Sequence, residues 1–150
     1  VEAVCLRIFN AYGPGQRVPP FHPPVVPNFL KHALTNGSIV IHSDGSQTRD
    51  YVFVDDVVNA MVTSATASGV DQQIINIGSG VETSVRELAR LVVQATGTKP
   101  EEIYNPLKYG GADRMCADIS KAYEKLNYLP LIPLDVGLRL TLERDPQFQK

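Results

Sequence analysis

The sequence has no tryptophan, only two cysteines and three histidines in 150 residues, and no run of like charge. Two cysteines, Cys5 and Cys116, cannot form a disulfide framework for a domain of this size, and no Cys or His pair has the spacing of zinc ligands. A reducing, cytoplasmic setting is the expectation. Fourteen Lys and Arg against sixteen Asp and Glu leave a formal charge of −2 with no basic stripe, which argues against nucleic acid and anionic membranes as partners. The longest uncharged segments, 18–30 and 57–69, are broken by Pro or polar residues and fall short of the roughly 20 apolar residues of a spanning helix. Neither a membrane segment nor a signal peptide is expected. No Met precedes Val1, and residues 1–9 (VEAVCLRIF) read at once as a buried strand without a polar lead-in. The expectation is a piece of a longer protein.

What is present suits one α/β domain, with 43% hydrophobic and 20% charged residues. The first strand runs into Asn10-Ala-Tyr-Gly-Pro-Gly15, a forced turn, and six of the eleven prolines fall between Pro14 and Pro27, predicting a stiff surface segment. The pattern predicts a helix over 27–36 ending at Gly37, and a strand over 39–42. A turn at 44–46 and a second strand over 49–54 would complete a hairpin-like excursion. Asp55 or Asp56 can cap a helix to about Ser68, and 74–77 reads as a short strand. Ser84-Val-Arg-Glu87 is a capping-box pattern opening a helix over 84–96. Further helices are expected over 118–127 and 134–144. Only 4–9 and 74–77 look apolar enough for a central parallel sheet. Two strands would leave open edges, so the sheet is expected to be completed by a missing N-terminal half or by another copy of the chain.

Several patterns imitate chemistry. Gly78-Ser-Gly80 after a strand and before a helix resembles a dinucleotide fingerprint, but the third glycine is Thr83 and Glu101 and Glu102 lie beside Pro100, so a plain strand-to-helix turn is favoured. Tyr104-Asn-Pro-Leu-Lys108 has the spacing of a Tyr-Lys dyad, and Pro106 breaks the helix that would bring the pair together. His22, His32 and His42 recur every ten residues, which is not a contact spacing. Cys5 and Cys116 lack a partner that would make either a nucleophile. Arg49-Asp50 stands apart: a guanidinium at a strand edge suits a phosphate, while the bland alternative is a surface ion pair of Arg49 with Asp50 or Asp55. Asn10 sits where open α/β sheets bind ligands, or serves only as a turn residue before Gly13.

Together, Leu6-Arg-Ile-Phe-Asn-Ala-Tyr-Gly-Pro-Gly15, Asp44-Gly-Ser-Gln-Thr-Arg-Asp-Tyr-Val-Phe-Val-Asp-Asp56, Asn76-Ile-Gly78 and Ala117-Asp-Ile-Ser-Lys-Ala122 resemble the C-terminal half of the extended short-chain dehydrogenase/reductase family. The resemblance is to its NAD-dependent nucleotide-sugar epimerases and dehydratases, with UDP-glucose 4-epimerase and dTDP-glucose 4,6-dehydratase as types; it implies a UDP- or dTDP-hexose substrate, with the UDP-glucose 4-epimerase type the expectation. It covers nearly the whole chain, in order. It implies the last Rossmann strands plus a small substrate-binding α/β domain over 1–150, with the glycine-rich NAD loop and catalytic Tyr-x-x-x-Lys in an absent N-terminal portion. It also implies a nucleotide-diphosphate sugar as ligand and a homo-oligomer. By resemblance, Asn10 contacts the sugar and diphosphate, Ile8 and Phe9 lie beside the nicotinamide, and Val25 and Val26 lead to the substrate helix. Val40 and His42 line the nucleobase pocket, and Arg49 binds the diphosphate. The family's second phosphate-binding Arg corresponds to Lys108 or to a displaced Arg114, and its Gly-Asp is Gly110-Gly111. The rival reading is an inactive truncated module that self-associates through its exposed sheet edge.

Overall fold

The computed structural model describes residues 2–107 and 111–149. The chain from Cys5 to Tyr12 is nearly continuous extended backbone that changes partners midway. Strand β1 (Cys5–Ile8) pairs in parallel with β6 (Ile74–Ile77), and β2 (Asn10–Tyr12) pairs in parallel with β5 (Tyr51–Phe53). The handover occurs at consecutive amides: Phe9 N donates to Ile77 O at 2.9 Å and Asn10 N to Asp50 O at 3.1 Å. A third parallel pair joins β3 (Ser38–His42) to β8 (Glu101–Asn105), and a short antiparallel pair joins β4 (Thr48–Arg49) to β7 (Thr83–Ser84).

The hairpin-like excursion is therefore corrected. The apolar run at 39–42 and the strand entry at 49 do not pair with each other, because each has a distant partner whose identity no local spacing discloses. Parallel pairing is also commoner than expected, with three pairs instead of one. The first strand is not buried: Cys5 and Ile8 are exposed, and Cys5 is not a core residue. Among the described residues β1 has a neighbour on one side only, so just one side of its backbone is hydrogen-bonded.

Helix α1 is Val25–Leu34, two residues earlier than expected, with Pro27 inside its first turn, where the missing N–H is no loss. Helix α2 (Val54–Thr66) starts directly from β5 with Phe53 at its N-cap and no side-chain cap. Asp56 instead turns into the protein and accepts from the Leu131 and Ile132 amides at 2.9 and 3.1 Å. Helix α3 (Val85–Thr96) carries half of the predicted box: Ser84 Oγ accepts from Glu87 N, whereas the Glu87 carboxylate turns outward to Arg90. Helices α4 (Ser120–Leu126) and α5 (Leu134–Arg144) follow.

Two apolar clusters result. One joins α1, α3 and α5 to β3 and β5 through Phe29, Leu30, Ile41, Leu88, Val92 and Leu138. The other lies between β6, α2 and α4 around Ile75, Ile77, Val57, Ala60, Leu126 and Tyr128. Helix α5 meets β2 and β5 at Gly137, where a Cβ would fall 2.0 Å from Tyr12 Oη and 2.9 Å from a Phe53 ring carbon. Gly137→Ala should cost about 3 kcal/mol, at the upper end of overpacking effects, seen as a lower urea midpoint with an unchanged slope.

Candidate functional site

Extended backbone sends adjacent side chains to opposite faces. Residues 49 and 51 consequently share one face, and 50 takes the other. The shared face opens on a cleft of about 650 Å³. Asn10 of β2, Val25 of α1, Val40 and His42 of β3, and Arg49 and Tyr51 all line it, and residues 111–113 form a further wall. Five of the residues singled out in the sequence thus meet in one concavity, although they come from four elements and span 40 residues.

Arg49 is half-buried, and its Nη1 donates to the Thr48 carbonyl at 2.6 Å. Among the described residues it makes no ion pair. Asp50 faces the interior and Asp55 is bound by Arg144 at 2.8 Å, so neither expected carboxylate neutralises it. A guanidinium has five N–H donors, and one confined to a partly dehydrated wall without a counter-charge is a receptor for an anion. The Asn10 side chain donates to Asp50 O at 3.1 Å, which fixes its amide beside the strand that carries Arg49. Asp44, on the same wall, has its carboxyl held below the usual range by hydrogen bonds from the Ser46 hydroxyl and amide.

Tyr51 was not foreseen as a site residue. It is 4% exposed, and its hydroxyl is buried without a hydrogen-bond partner among the described residues. Burial pushes its pKa up to about 12, against the lowering effect of Arg49. The signal was available in the sequence: a residue two after Arg49 in a strand faces the same way.

Other expectations fall elsewhere. Val26 is a core residue and does not line the cleft. Ile8 is 42% exposed at the end of β1, and Phe9 is half-buried beside it, both outside the cleft. Arg114 is also outside, with Nε 2.7 Å from both oxygens of Glu82. Lys108 lies outside the described residues, as does Gly110. Tyr104 belongs to β8, so it has no helical turn to share with Lys108. At the imitation dinucleotide turn, the Ser79 and Gly80 amides donate to the Asp50 carboxylate at 2.6 and 2.9 Å. A Cβ on Gly78 would stand 2.6 Å from that carboxylate. The turn's Ser79 and Gly80 amides already hold an anion from its own chain and are not free for a pyrophosphate. Burial, with the charges of Asp50 and Glu82, raises the Cys116 thiol pKa, opposing nucleophilic reactivity. Among the described residues no His, Cys, Asp and Glu cluster could hold a metal, and no helix is long and apolar enough to cross a membrane.

The model of the NAD dependent epimerase/dehydratase family matches residues 1–78. The chain is 40% identical over 134 residues to a UDP-glucose 4-epimerase of Mycolicibacterium smegmatis, covering 89% of this chain and 42% of that protein. Among solved structures, the Thermotoga maritima UDP-glucose 4-epimerase with UDP-glucose superposes with a TM-score of 0.89 at 37% identity, over 95% of this chain and 45% of that one. The Bacillus cereus UDP-glucuronic acid 4-epimerase, in complex with UDP-glucuronic acid and NAD, gives 0.86 at 28% identity, over 97% and 46%. The chain spans less than half the length of each of these relatives.

A phenol whose pKa rises on folding favours the folded state while protonated. That stability is complete below about 10, the unfolded value, and is lost as pH climbs toward the folded value. Tyr12 and Tyr128 are raised as well, mainly by burial. Unfolding should therefore set in above pH 10 with a delayed phenolate absorbance, and Tyr51→Phe should reduce the delayed amplitude.

Proposed function

The chain belongs to the NAD dependent epimerase/dehydratase family, and on that premise we propose that it is the nucleotide-sugar-binding half of such an enzyme, of the UDP-glucose 4-epimerase type. The observation that carries the proposal is the convergence of Asn10 and the uncompensated guanidinium of Arg49 on one cleft. A diphosphate supplies the counter-charge that Arg49 lacks among the described residues. Val40 and His42, farther along the cleft on β3, offer an apolar edge and an imidazole to a nucleobase. Among the described residues the Tyr51 hydroxyl lacks a partner, which a polar ligand atom would provide.

Residues 1–150 are then the C-terminal substrate-binding portion, with the dinucleotide loop and catalytic dyad in an N-terminal portion of the same protein. Relatives more than twice as long support that division. The residues here fit NAD only at its margin: Ile8 and Phe9, at the carboxyl end of β1, offer an apolar contact for the nicotinamide, whereas the Gly78–Gly80 turn is occupied by Asp50. NAD held by the rest of such an enzyme would supply a reversible hydride acceptor, with Ile8 and Phe9 against its nicotinamide. This half binds and orients the nucleotide so that interactions remote from the reacting carbon hold that carbon in place. Two free cysteines suit a cytoplasmic protein.

The one-sided pairing of β1, with Ile8 42% and Ile74 52% exposed, favours a second arrangement in which another copy covers this edge. Light scattering distinguishes the two. Mass that doubles with concentration supports self-association, whereas a chain that stays monomeric until an N-terminal portion is supplied supports the division just described. The 150-residue chain with NAD and UDP-glucose should give no epimerised product.

Calorimetry with UDP tests the binding site. Arg49→Ala should weaken UDP about 100-fold, the loss of a charge-assisted contact worth ~2.7 kcal/mol. Tyr51→Phe should weaken it about tenfold and stabilise the free chain by ~1 kcal/mol, because a buried hydroxyl without a partner is removed. UDP affinity indifferent to Arg49→Ala rules the proposal out.

A further inference from the structure

Asp50 is 0% exposed and makes no ion pair among the described residues. A buried carboxylate persists only where hydrogen bonds replace its hydration. Four do so here. Oδ1 accepts from the Ser79 amide at 2.6 Å and its hydroxyl at 2.7 Å, while Oδ2 accepts from the Gly80 amide at 2.9 Å and the Ala117 amide at 3.1 Å. One side chain thereby joins three segments: the β4–β5 junction that bears Arg49, the turn after β6, and the loop that ends at Ala117.

That loop is the wall facing the guanidinium. Residues 111–113 line the cleft, and a Cβ on Gly111 would lie 3.8 Å from Arg49 Nη2. The loop is tied to β4 a second time, by Thr48 N to Asp113 O at 2.9 Å. Between those ties Arg114 holds Glu82, whose carboxylate also accepts from the Thr48 hydroxyl at 2.5 Å. Glu82 belongs to the same turn as residues 79–80, so the Asp50 contact differs in being made by a wholly buried carboxylate. Without it, the wall opposite Arg49 and the strand beneath it are joined only by the more exposed ties through Thr48, Asp113 and Glu82.

We propose that Asp50 is a positioning residue for anion recognition: it acts through Arg49, by locking the loop ending at Ala117 and the turn after β6 against the strand that presents the guanidinium. Pre-organisation of this kind raises affinity by lowering the ordering cost of binding. The proposal rests on the nucleotide-diphosphate reading above and adds a residue that touches no ligand.

The test compares UDP with uridine, since only UDP carries the group that Arg49 would meet. Asp50→Asn keeps the shape, but its NH2 confronts an amide donor on either side of the cluster, so one bond is lost where the Ser79 hydroxyl turns to accept from it, and two where it faces the Gly80 and Ala117 amides. UDP affinity should fall about tenfold while uridine affinity changes less than about twofold; a general loss of structure would lower both. Arg49→Ala should cost far less in the Asp50→Asn background than alone, because the two residues act on one contact. Should Asp50→Asn fail to fold, Ser79→Ala removes a single donor and should lower the UDP-to-uridine affinity ratio about threefold. An unchanged ratio in the folded variants, equal losses for both ligands, or additive costs in the double variant would overturn the role of Asp50 and leave the Arg49 reading intact. A wild-type chain that binds UDP no better than uridine overturns both.

Discussion

The structure depends on how the backbone and side chain of one residue divide their hydrogen bonds. The carbonyl of Asp50 accepts from both the backbone and side-chain amides of Asn10, each at 3.1 Å, which fixes the point where the first extended segment leaves β6 for β5. The carboxylate of the same residue accepts from two loops on the far side. Because extended chain alternates its side chains, burying position 50 obliges positions 49 and 51 to face the other way, into the cleft. The chemistry of the cleft and the cohesion of the loops therefore come from adjacent residues on opposite faces of one strand. A shift of register by one residue would put the guanidinium in the interior and the carboxylate in the cleft.

What could be read from the sequence follows from how local each signal is. Helix α3 was legible because the Ser84 cap, its apolar stripe and the closing Gly97 all lie within one segment. The pairing of β3 with β8 was not, since nothing in Ser38–His42 indicates Glu101–Asn105, and the nearer strand at 49 offered a false partner. Asp56 looked like a cap because it stands at a helix start, yet two loop amides from 131 and 132 claimed it. In the cleft, Asn10, Val40, His42 and Arg49 were reachable through motif resemblance. Val26 was displaced by one helical residue into the core, and Arg114 was claimed by Glu82 from 32 positions away. The imitation dinucleotide turn has the right glycines for the right physical reason, close approach of an anion, but that anion is an aspartate carboxylate.

The exposed apolar surface has a similar explanation. Helix α2 presents Val58, Met61 and Val62 at helical spacing on the face opposite its packing against β5, and Ile8 and Ile74 lie open on the β1–β6 pair. Single exposed hydrophobic residues are ordinary, whereas a stripe on a helix beside a half-paired sheet is a surface suited to a packed neighbour. Relatives of more than twice this length have chain available for that purpose.

On the proposed reading, the cleft keeps polar groups in the condition that binding requires, at a cost to the free chain. Arg49 lacks a counter-charge among the described residues and Tyr51 lacks a hydrogen-bond partner, although buried groups of both kinds are ordinarily satisfied. Each omission costs folding free energy that a ligand can return, so the same groups lower stability and raise affinity. The interior shows the opposite choice at Asp50, where the four donors that surround the carboxylate leave it little to offer a ligand. Satisfying the anchor while leaving the receptor unsatisfied keeps the receptor rigid without neutralising it. A counter-ion for Arg49 within the chain would have stabilised the fold and, on the proposed reading, closed the site to phosphate.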